Sequence, residues 1–385
     1  MKYDFVATTT RGLEDVSARE LSDLLRVKVE QDVAKVFFSA GLEAMYSVNL
    51  ASRTVNRLIL RLARERVEGL QDVYKVAKDV DYAWCIGESQ SFAVRAERVG
   101  KHSFTSVDVA AAVGQGVIDS YARSRGVRLK VDLDNPDVEI LTLLRDDELL
   151  IGVNTTGGSL HRRGYGVYRH PASIKSTIAA ALLLYCGWRP VQGYDLVDPM
   201  CGGGTIVIEA GLMALNVPPN LGRERFAFKR LIFSNPEDYE KVKERLTKNC
   251  RVNVNCRILG MDISPKHVAG AIKNAEAAGV RGFVELKVGD AKRLPQYLDF
   301  TPSFVVTNPP YGIRMGRSEA LKPLYEGFLR SLLELGSKLT LVVISGTPRK
   351  FKEALNEVRG FEVLEARTVL HGSLQTVVYK CVPLP

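Results

Sequence analysis

Two kinds of periodicity divide this chain. Residues 2–8 alternate apolar and polar side chains like an edge strand, and Val16, Leu21, Leu24 and Leu25 then recur at helical spacing. A second alternating run, Val27, Val29, Val33, Val36 and Phe38, precedes a helix over 41–51 and a strand over 57–63. This reads as the order β-α-β-β-α-β of a ferredoxin-like unit. From 73 the order changes to helix 73–80, strand 91–95, helix 106–124, strands near 129–133 and 138–145, and a last strand over 148–154, a second small α+β unit. Beyond 194, short apolar runs alternate with helical segments: strand 194–197, helix 204–215, strand 257–261, helix 265–278, strands 283–288 and 303–307, helix 319–335 and strand 339–345. That alternation predicts a doubly wound α/β domain with a parallel sheet. The end differs, because the runs 361–369 and 375–382, joined by His371-Gly372-Ser373, read as an antiparallel hairpin.

Between the halves, residues 155–171 are rich in Gly, Arg and Tyr and carry no sustained apolar period. They predict a basic linker over 159–170, separating an N-terminal region (1–158) from a C-terminal domain (171–385). Arg162, Arg163, Tyr165, Tyr168 and Arg169 interleave cations with aromatic rings, a composition that suits single-stranded or flipped nucleotides. A helix starts in the run Pro171-Ala172-Ser173-Ile174-Lys175-Ser176-Thr177. The basic insertion 216–255 allows two readings, contact with RNA through Arg223, Arg225, Phe226, Phe228, Lys229 and Arg230, or a cap on the sheet.

The 385 residues suffice for two or three domains, and the excess of 53 Lys and Arg over 44 Asp and Glu, net charge +9, favours a polyanionic partner. No stretch approaches the roughly 18–20 uninterrupted apolar residues of a membrane span. Asp4 stands where a signal peptide needs an apolar core, so the expectation is a soluble cytoplasmic protein without a membrane partner. The six cysteines (85, 186, 201, 250, 256, 381) contain no Cys-x2-Cys pair and match no zinc spacing, and no metal is expected. Nothing sets an oligomeric state, and a monomer suffices.

The candidate chemistry lies past successive strands of the second half. The apolar run 194–197 leads into Asp198-Pro199-Met200-Cys201-Gly202-Gly203-Gly204-Thr205, a strand, a glycine turn and a helix start that leave room for a ligand. A carboxylate beside that turn repels pyrophosphate and suits a cationic head group, and no Gly-Lys-Ser/Thr follows to make a phosphate loop. Asp262 ends the next strand, where an acid can accept ribose hydroxyls. Asp290 ends the third, placed for an adenine amine, with the Ala291 region packing the ring. The fourth runs into Asn308-Pro309-Pro310-Tyr311. Two prolines remove two backbone donors and leave the Asn308 amide oxygen and the Pro309 carbonyl as acceptors for a planar amine, with Tyr311 as a stacking face. In the first half, the strand at 91–95 runs into a loop carrying Arg95, Arg98, Lys101 and His102, with Phe104 at its end, which suits a phosphate backbone and a stacked base.

These motifs carry a resemblance. Arg98-Val99-Gly100-Lys101-His102-Ser103-Phe104-Thr105-Ser106 resembles the THUMP domain of tRNA-modifying enzymes, over about 43–155, with the ferredoxin-like part over about 1–65. Asp198 to Thr205 resembles the Asp-Pro-x-Cys-Gly-Ser-Gly-Thr motif of THUMP-bearing RNA methyltransferases, with Gly203 in place of the serine. Asn308-Pro309-Pro310-Tyr311 matches the catalytic motif of amino-group methyltransferases, which act on adenine N6, guanine N2 or a glutamine amide. The second half is similar to the class I methyltransferase fold, a mostly parallel seven-stranded sheet with a terminal hairpin.

The resemblance implies S-adenosylmethionine as donor, held by Ser173, Ile174, Asp198, Met200, Cys201, Gly202, Gly203, Gly204, Thr205, Asp262, Ile263, Asp290, Ala291 and Asn308. It implies catalysis by Asn308, Pro309, Pro310 and Tyr311, and RNA contacts from Arg95, Arg98, Lys101, His102, Arg162 and Arg163. The implied product is N2-methylguanosine in the acceptor stem of tRNA. Ribosomal RNA guanine N2, a tRNA guanine elsewhere (including dimethylation), adenine N6 and a non-catalytic RNA-binding protein stay open.

Overall fold

The computed structural model describes residues 1–312, 318–336 and 338–384. The N-terminal half is one sheet, not two. Its elements are β1 (Tyr3–Thr8), α1 (Glu14–Leu25), β2 (Val29–Asp32), β3 (Lys35–Ala40), α2 (Glu43–Ala51), β4 (Arg57–Arg66), α3 (Leu70–Asp79), β5 (Ser91–Val99), α4 (Ser106–Arg125), β6 (Lys130–Val131), β7 (Val138–Arg145) and β8 (Glu148–Asn154). The strand order is β2-β3-β1-β4-β8-β7-β5-β6. The ferredoxin-like unit and the second α+β unit merge because β4 outruns its partner. It pairs with β1 only from Arg57 to Leu60, while its other edge pairs with β8 from Ile59 to Arg66. The polar tail Arg64-Glu65-Arg66 disguises that extension, since one face of a strand can be solvated.

The C-terminal half follows with α5 (Ser176–Cys186), β9 (Leu196–Asp198), α6 (Thr205–Ala214), α7 (Pro236–Lys248), β10 (Ile258–Asp262), α8 (Pro265–Ala277), β11 (Glu285–Val288), β12 (Phe304–Thr307), α9 (Leu321–Leu333), β13 (Thr340–Ser345), α10 (Pro348–Val358), β14 (Phe361–His371) and β15 (Leu374–Pro383). The order β11-β10-β9-β12-β13-β15-β14 is parallel except for β15, which runs antiparallel to β13 and β14. The expected seven-stranded sheet with a terminal hairpin is present. Helix α10 was not expected, although Pro348 at its first turn and Phe351, Ala354 and Leu355 on one buried face announce it. Strand order reverses at β9, so a crevice opens at the carboxyl ends of β9 and β12.

The insertion caps a core, and the core belongs to the other half of the chain. Phe226, Phe228, Leu231, Tyr239 and Val242 are buried among residues of the N-terminal sheet and its helices. Phe228 meets Tyr46 of α2 edge to face at 5.2 Å, and the Tyr46 hydroxyl accepts from the Asn235 amide at 2.7 Å. Arg53, just past α2, donates to the Val217 carbonyl at 2.9 Å. At the opposite seam, Leu13 and Val16 of the first helical segment share a core with Val369 of β14, and Arg367 pairs with Asp15 at 2.8 Å. The two sheets are thereby locked at two places by apolar packing. Phe228→Ala, which empties the centre of the first seam, is expected to lower stability by about 3–5 kcal/mol in urea denaturation; an unchanged midpoint would mean that the insertion contributes no packing.

Candidate active site

Three carboxylates stand at the carboxyl ends of β9, β10 and β11, and their environments differ. Asp198 is fully buried, with Oδ1 accepting the Thr307 hydroxyl at 2.7 Å and the Met200 amide at 3.2 Å. Among the described residues it pairs with no cation. Burial raises its pKa to about 7, with the Thr307 and Met200 hydrogen bonds pulling the other way. Asp262 is tied to the glycine turn, its Oδ2 accepting the Gly202 amide at 3.0 Å and its Oδ1 the Ser264 amide at 2.9 Å. Asp290 accepts the Lys292 amide at 2.9 Å and faces the Lys292 ammonium at 3.7 Å. Ala291 turns into the core beside Val197 and Met261, whereas Ile263, the residue after Asp262, is 68% exposed. The pattern of strand-ending acids thus gathers one buried carboxyl without a counter-charge, two part-exposed ones and an apolar lip.

The glycines make the expected turn and also leave room for neighbouring protein. A Cβ on Gly202 or Gly203 would meet His170 of the linker at 3.2 and 3.3 Å, and one on Gly204 would meet Ala271 of α8 at 3.1 Å. The turn is glycine because protein closes on it, and Gly202 and Gly204 also hold positive φ. His170 meets His267 edge to face at 4.3 Å, and His267 Nδ1 lies 3.3 Å from Asp262 Oδ1. Asn274, buried on α8, clips linker and turn together. Its Nδ2 donates to the carbonyls of Gly203 (2.8 Å) and Tyr168 (3.0 Å), and its Oδ1 accepts the Tyr168 amide at 2.7 Å. Tyr168 in turn lies on Gly270, where a Cβ would be 2.2 Å from the ring. The signal for Asn274 was a polar residue on the core face of a helix, between Ala271 and Ala275.

At the end of β12, the Asn308 amide is fixed at both ends. Oδ1 accepts the Tyr311 hydroxyl at 2.5 Å and Nδ2 donates to the Ala172 carbonyl at 3.3 Å. The expectation of an unpaired Asn308 oxygen is therefore corrected, because Tyr311 is close enough to use one lone pair and leaves the other. Tyr311 is also less open than expected, since its ring packs on Gly346, where a Cβ would come within 2.5 Å. The Pro310 carbonyl is tied off by the Tyr325 hydroxyl at 3.0 Å, and that hydroxyl also meets Thr347 at 2.9 Å. Ser173 is exposed beside Ala172, and Ile174 is buried. Met200 and Cys201 lie at the start of the turn, and Thr205 is the first residue of α6.

Several expected RNA contacts change character. Arg163 is a correction: its side chain is 1% exposed and its Nε pairs with the fully buried Glu209 of α6 at 3.2 Å. The rest of its guanidinium donates to the Leu160 and Arg53 carbonyls, both at 2.8 Å, and to Asn220 at 3.0 Å. Tyr165 is buried with it and donates to Glu209 at 2.8 Å. A lone Glu in the apolar run Thr205-Ile206-Val207-Ile208-Glu209-Ala210 needed such partners. Arg95 and Arg98 lie on β5 and not on the loop after it, because pairing with β7 continues to Val99. Arg95 pairs with Glu139 at 3.5 Å, and Arg98 donates to Gly100 (3.1 Å) and meets His102 (2.9 Å), whose Nε2 lies 2.6 Å from the Asp146 carbonyl. Lys101 and Arg162 are exposed. Among the described residues no group of three or more His, Cys, Asp or Glu is arranged to hold a metal ion, and no helix is long and apolar enough to cross a membrane.

The buried Asp198 has a measurable consequence. Its folded pKa exceeds the ordinary 3.8, so the stability it contributes is present below about pH 4 and is lost as the pH rises through about 7. Asp198→Asn keeps an acceptor for Thr307 and Met200 but removes the charge. In the ligand-free protein it is expected to raise stability at pH 8, by up to about 4 kcal/mol, with a gain that shrinks as the pH is lowered to 5. A gain independent of pH in urea titrations would show that the carboxyl titrates normally.

Comparison with known proteins agrees with this architecture. The family model described as the RMKL-like methyltransferase domain matches residues 163–377, over half the chain. The THUMP domain matches 67–154 and the RlmL ferredoxin-like domain 4–59. The chain is 38% identical to the tRNA (guanine(6)-N2)-methyltransferase of Methanocaldococcus jannaschii, covering 98% of this chain and 99% of that one. It is 41% identical to the enzyme of the same name from Archaeoglobus fulgidus, covering 97% and 91%. A solved structure of a possible methylase from Clostridium difficile superposes with a TM-score of 0.89 at 25% identity, over 100% of this chain and 99% of that one. With strand-ending acids, an Asn-Pro-Pro-Tyr turn and matches that run nearly end to end, the chain belongs to the THUMP-bearing, RMKL-like methyltransferase family.

Proposed function

We propose that this protein is a cytoplasmic enzyme that methylates the exocyclic N2 amine of a guanosine in the acceptor stem of tRNA, with S-adenosylmethionine as donor. The observation that carries the reading is the Asn308 amide, locked at both ends beside a crevice that holds a buried carboxyl with no described cationic partner. A cationic ammonium is the counter-charge that Asp198 lacks, so the residues fit the donor. Asp198 and the turn from Met200 to Thr205 would hold its amino-acid end, Asp262 its ribose hydroxyls, and Asp290 with Ile263 its base, with Ser173 and Ile174 beside them. Bound there, the donor supplies an electrophilic methyl group on its sulfonium.

The chain's own part is to make a poor nucleophile competent. An aromatic amine delocalises its lone pair into the ring. The free lone pair of Asn308 Oδ1 and the Pro309 carbonyl accept its two hydrogens, which localises the nitrogen pair and offsets the positive charge that develops there. Tyr311 and Ala172 hold the Asn308 amide in place before the substrate arrives, so no reorganisation is needed during the reaction. Tyr325 keeps the Pro310 carbonyl engaged and leaves Pro309 as the backbone acceptor. Guanine N2 lies in the minor groove of a stem, and the base has to leave the stack to reach this turn.

Both near-full-length relatives are named for methylation at N2 of tRNA guanine 6, which supports guanosine 6 as the target. Incubation with labelled donor and total RNA, followed by digestion to nucleosides and mapping, is expected to give N2-methylguanosine in tRNA. Product confined to ribosomal RNA, or N6-methyladenosine, would replace this reading. Asn308→Ala is expected to lower kcat at least about 100-fold with RNA affinity retained, and unchanged turnover would remove Asn308 from the mechanism.

A further inference from the structure

Cations gather where the linker meets the head of α5. Arg57 Nε donates to the Gly157 carbonyl at 3.4 Å from one side of the loop 157–161. From the other side the Arg223 guanidinium donates to the carbonyls of Thr156 (3.4 Å), Ser159 (3.5 Å) and Gly158. The His161 carbonyl accepts the Ser176 hydroxyl at 2.8 Å, which brings Lys175, the residue before α5, and the exposed Arg162 to the same loop. Among the described residues none of these four cations forms an ion pair. Arg57 and Arg223 are held by neutral carbonyl oxygens, which orient a cation without cancelling its charge. Three of the four, with Arg163 beside them, bear on His161. Burial first, and then Lys175, Arg162, Arg163 and Arg57, push its pKa down to about 4, so it adds no charge at neutral pH.

We propose that Arg57, Arg162, Lys175 and Arg223 form a basin for a backbone phosphate of the RNA, next to the nucleotide whose base enters the active site. The placement follows from the chain itself. Lys175 lies three residues beyond Ala172, whose carbonyl is 3.3 Å from Asn308 Nδ2, and three residues span at most about 11 Å. A base on Asn308 therefore has its own sugar-phosphate chain within reach of Lys175. Four uncompensated positive charges around one loop repel one another, and a phosphodiester is the ligand that relieves them. The inference rests on RNA being the substrate, but it joins residues from four separate segments, the start of β4, the linker, the turn before α5 and the insertion, of which only Arg162 and Arg223 were candidates for RNA contact from sequence. It also accounts for a basic insertion whose aromatic residues are used in packing.

The salt dependence of tRNA binding tests the basin, with the full chain and bulk tRNA as probe. Arg57→Gln and Lys175→Gln are each expected to make the plot of log affinity against log salt shallower by about 0.7–0.9, one released counterion. Arg57→Lys, which keeps the charge, is expected to retain the wild-type slope. So is Lys241→Gln, on α7 with its side chain 72% exposed. Donor affinity common to all variants shows that they are folded. A second readout is the His161 ring, one of five histidines, whose NMR titration should move up when tRNA binds. Wild-type slopes in both Gln variants would overturn the basin even if the protein methylates RNA. A wild-type protein that neither binds nor methylates RNA would overturn the substrate reading, and the basin with it.

Discussion

The ion pair between Arg163 and Glu209 is the interaction on which the arrangement of the two halves depends. Both side chains are almost wholly out of water. An isolated buried charge would cost several kcal/mol, and the Coulomb attraction repays that cost only when the remaining hydrogen-bonding capacity is also met. Here Arg163 reaches carbonyls of the linker and of the segment after α2, and the Asn220 side chain in the insertion, while Tyr165 completes one oxygen of Glu209. These partners come together only when all four segments sit in one geometry, and even then Glu209 Oε2 and Asn220 Nδ2 stay without a hydrogen bond among the described residues. Truncating Arg163 would leave Glu209 charged and buried, a loss of roughly 3–5 kcal/mol.

From that anchor the linker is led along α6 and α8 rather than through solvent. Tyr168 settles on Gly270, Asn274 ties its backbone to Gly203, and His170 closes over Gly202. The glycine turn is therefore shaped from outside by the linker and from within by Asp262, which accepts the Gly202 amide. The acidic crevice and the linker form one structure, and the carbonyl of Ala172, just past the linker, reaches Asn308 in the Asn-Pro-Pro-Tyr turn. A substitution in the linker can thus shift the glycine turn without lying in it.

Much of this was legible in the sequence, for a physical reason. Strands covered on both faces read as uninterrupted apolar runs, and a residue just past such a run lies at the carboxyl edge of the sheet, so Asp198, Asp262, Asp290 and Asn308 could be placed from position alone. Charge gave no comparable guide to burial. Arg162 and Arg163 are neighbours in a basic run, yet one is exposed and the other is enclosed. The informative signs were the opposite ones, polar residues in apolar company such as Glu209 in α6 and Asn274 in α8, because each demanded a partner that only the tertiary structure could supply. Strand ends were the other loss: β4 and β5 continue past their apolar stretches because their partners β8 and β7 do, and partner length is not encoded locally.

The charges of the site are divided by sign, and the division suits two ligands of opposite charge. The crevice at the ends of β9, β10 and β11 presents carboxylates, whereas the loop 157–161 and the head of α5 present cations. Had the two sets met, Lys175 or Arg57 would have neutralised Asp198 or Asp262, and neither a cationic donor nor a polyanionic acceptor would find a complementary field. The short run from Ala172 to Ile174 keeps them apart. Ile174 is buried in the core against α5, so the chain passes from the acidic side to the basic side across an apolar residue. Asn308 stands at the boundary, bonded to Ala172, and under the proposed reaction its neutral amide suits that place: a carboxylate there would repel the RNA, and a cation would repel the developing charge on the amine.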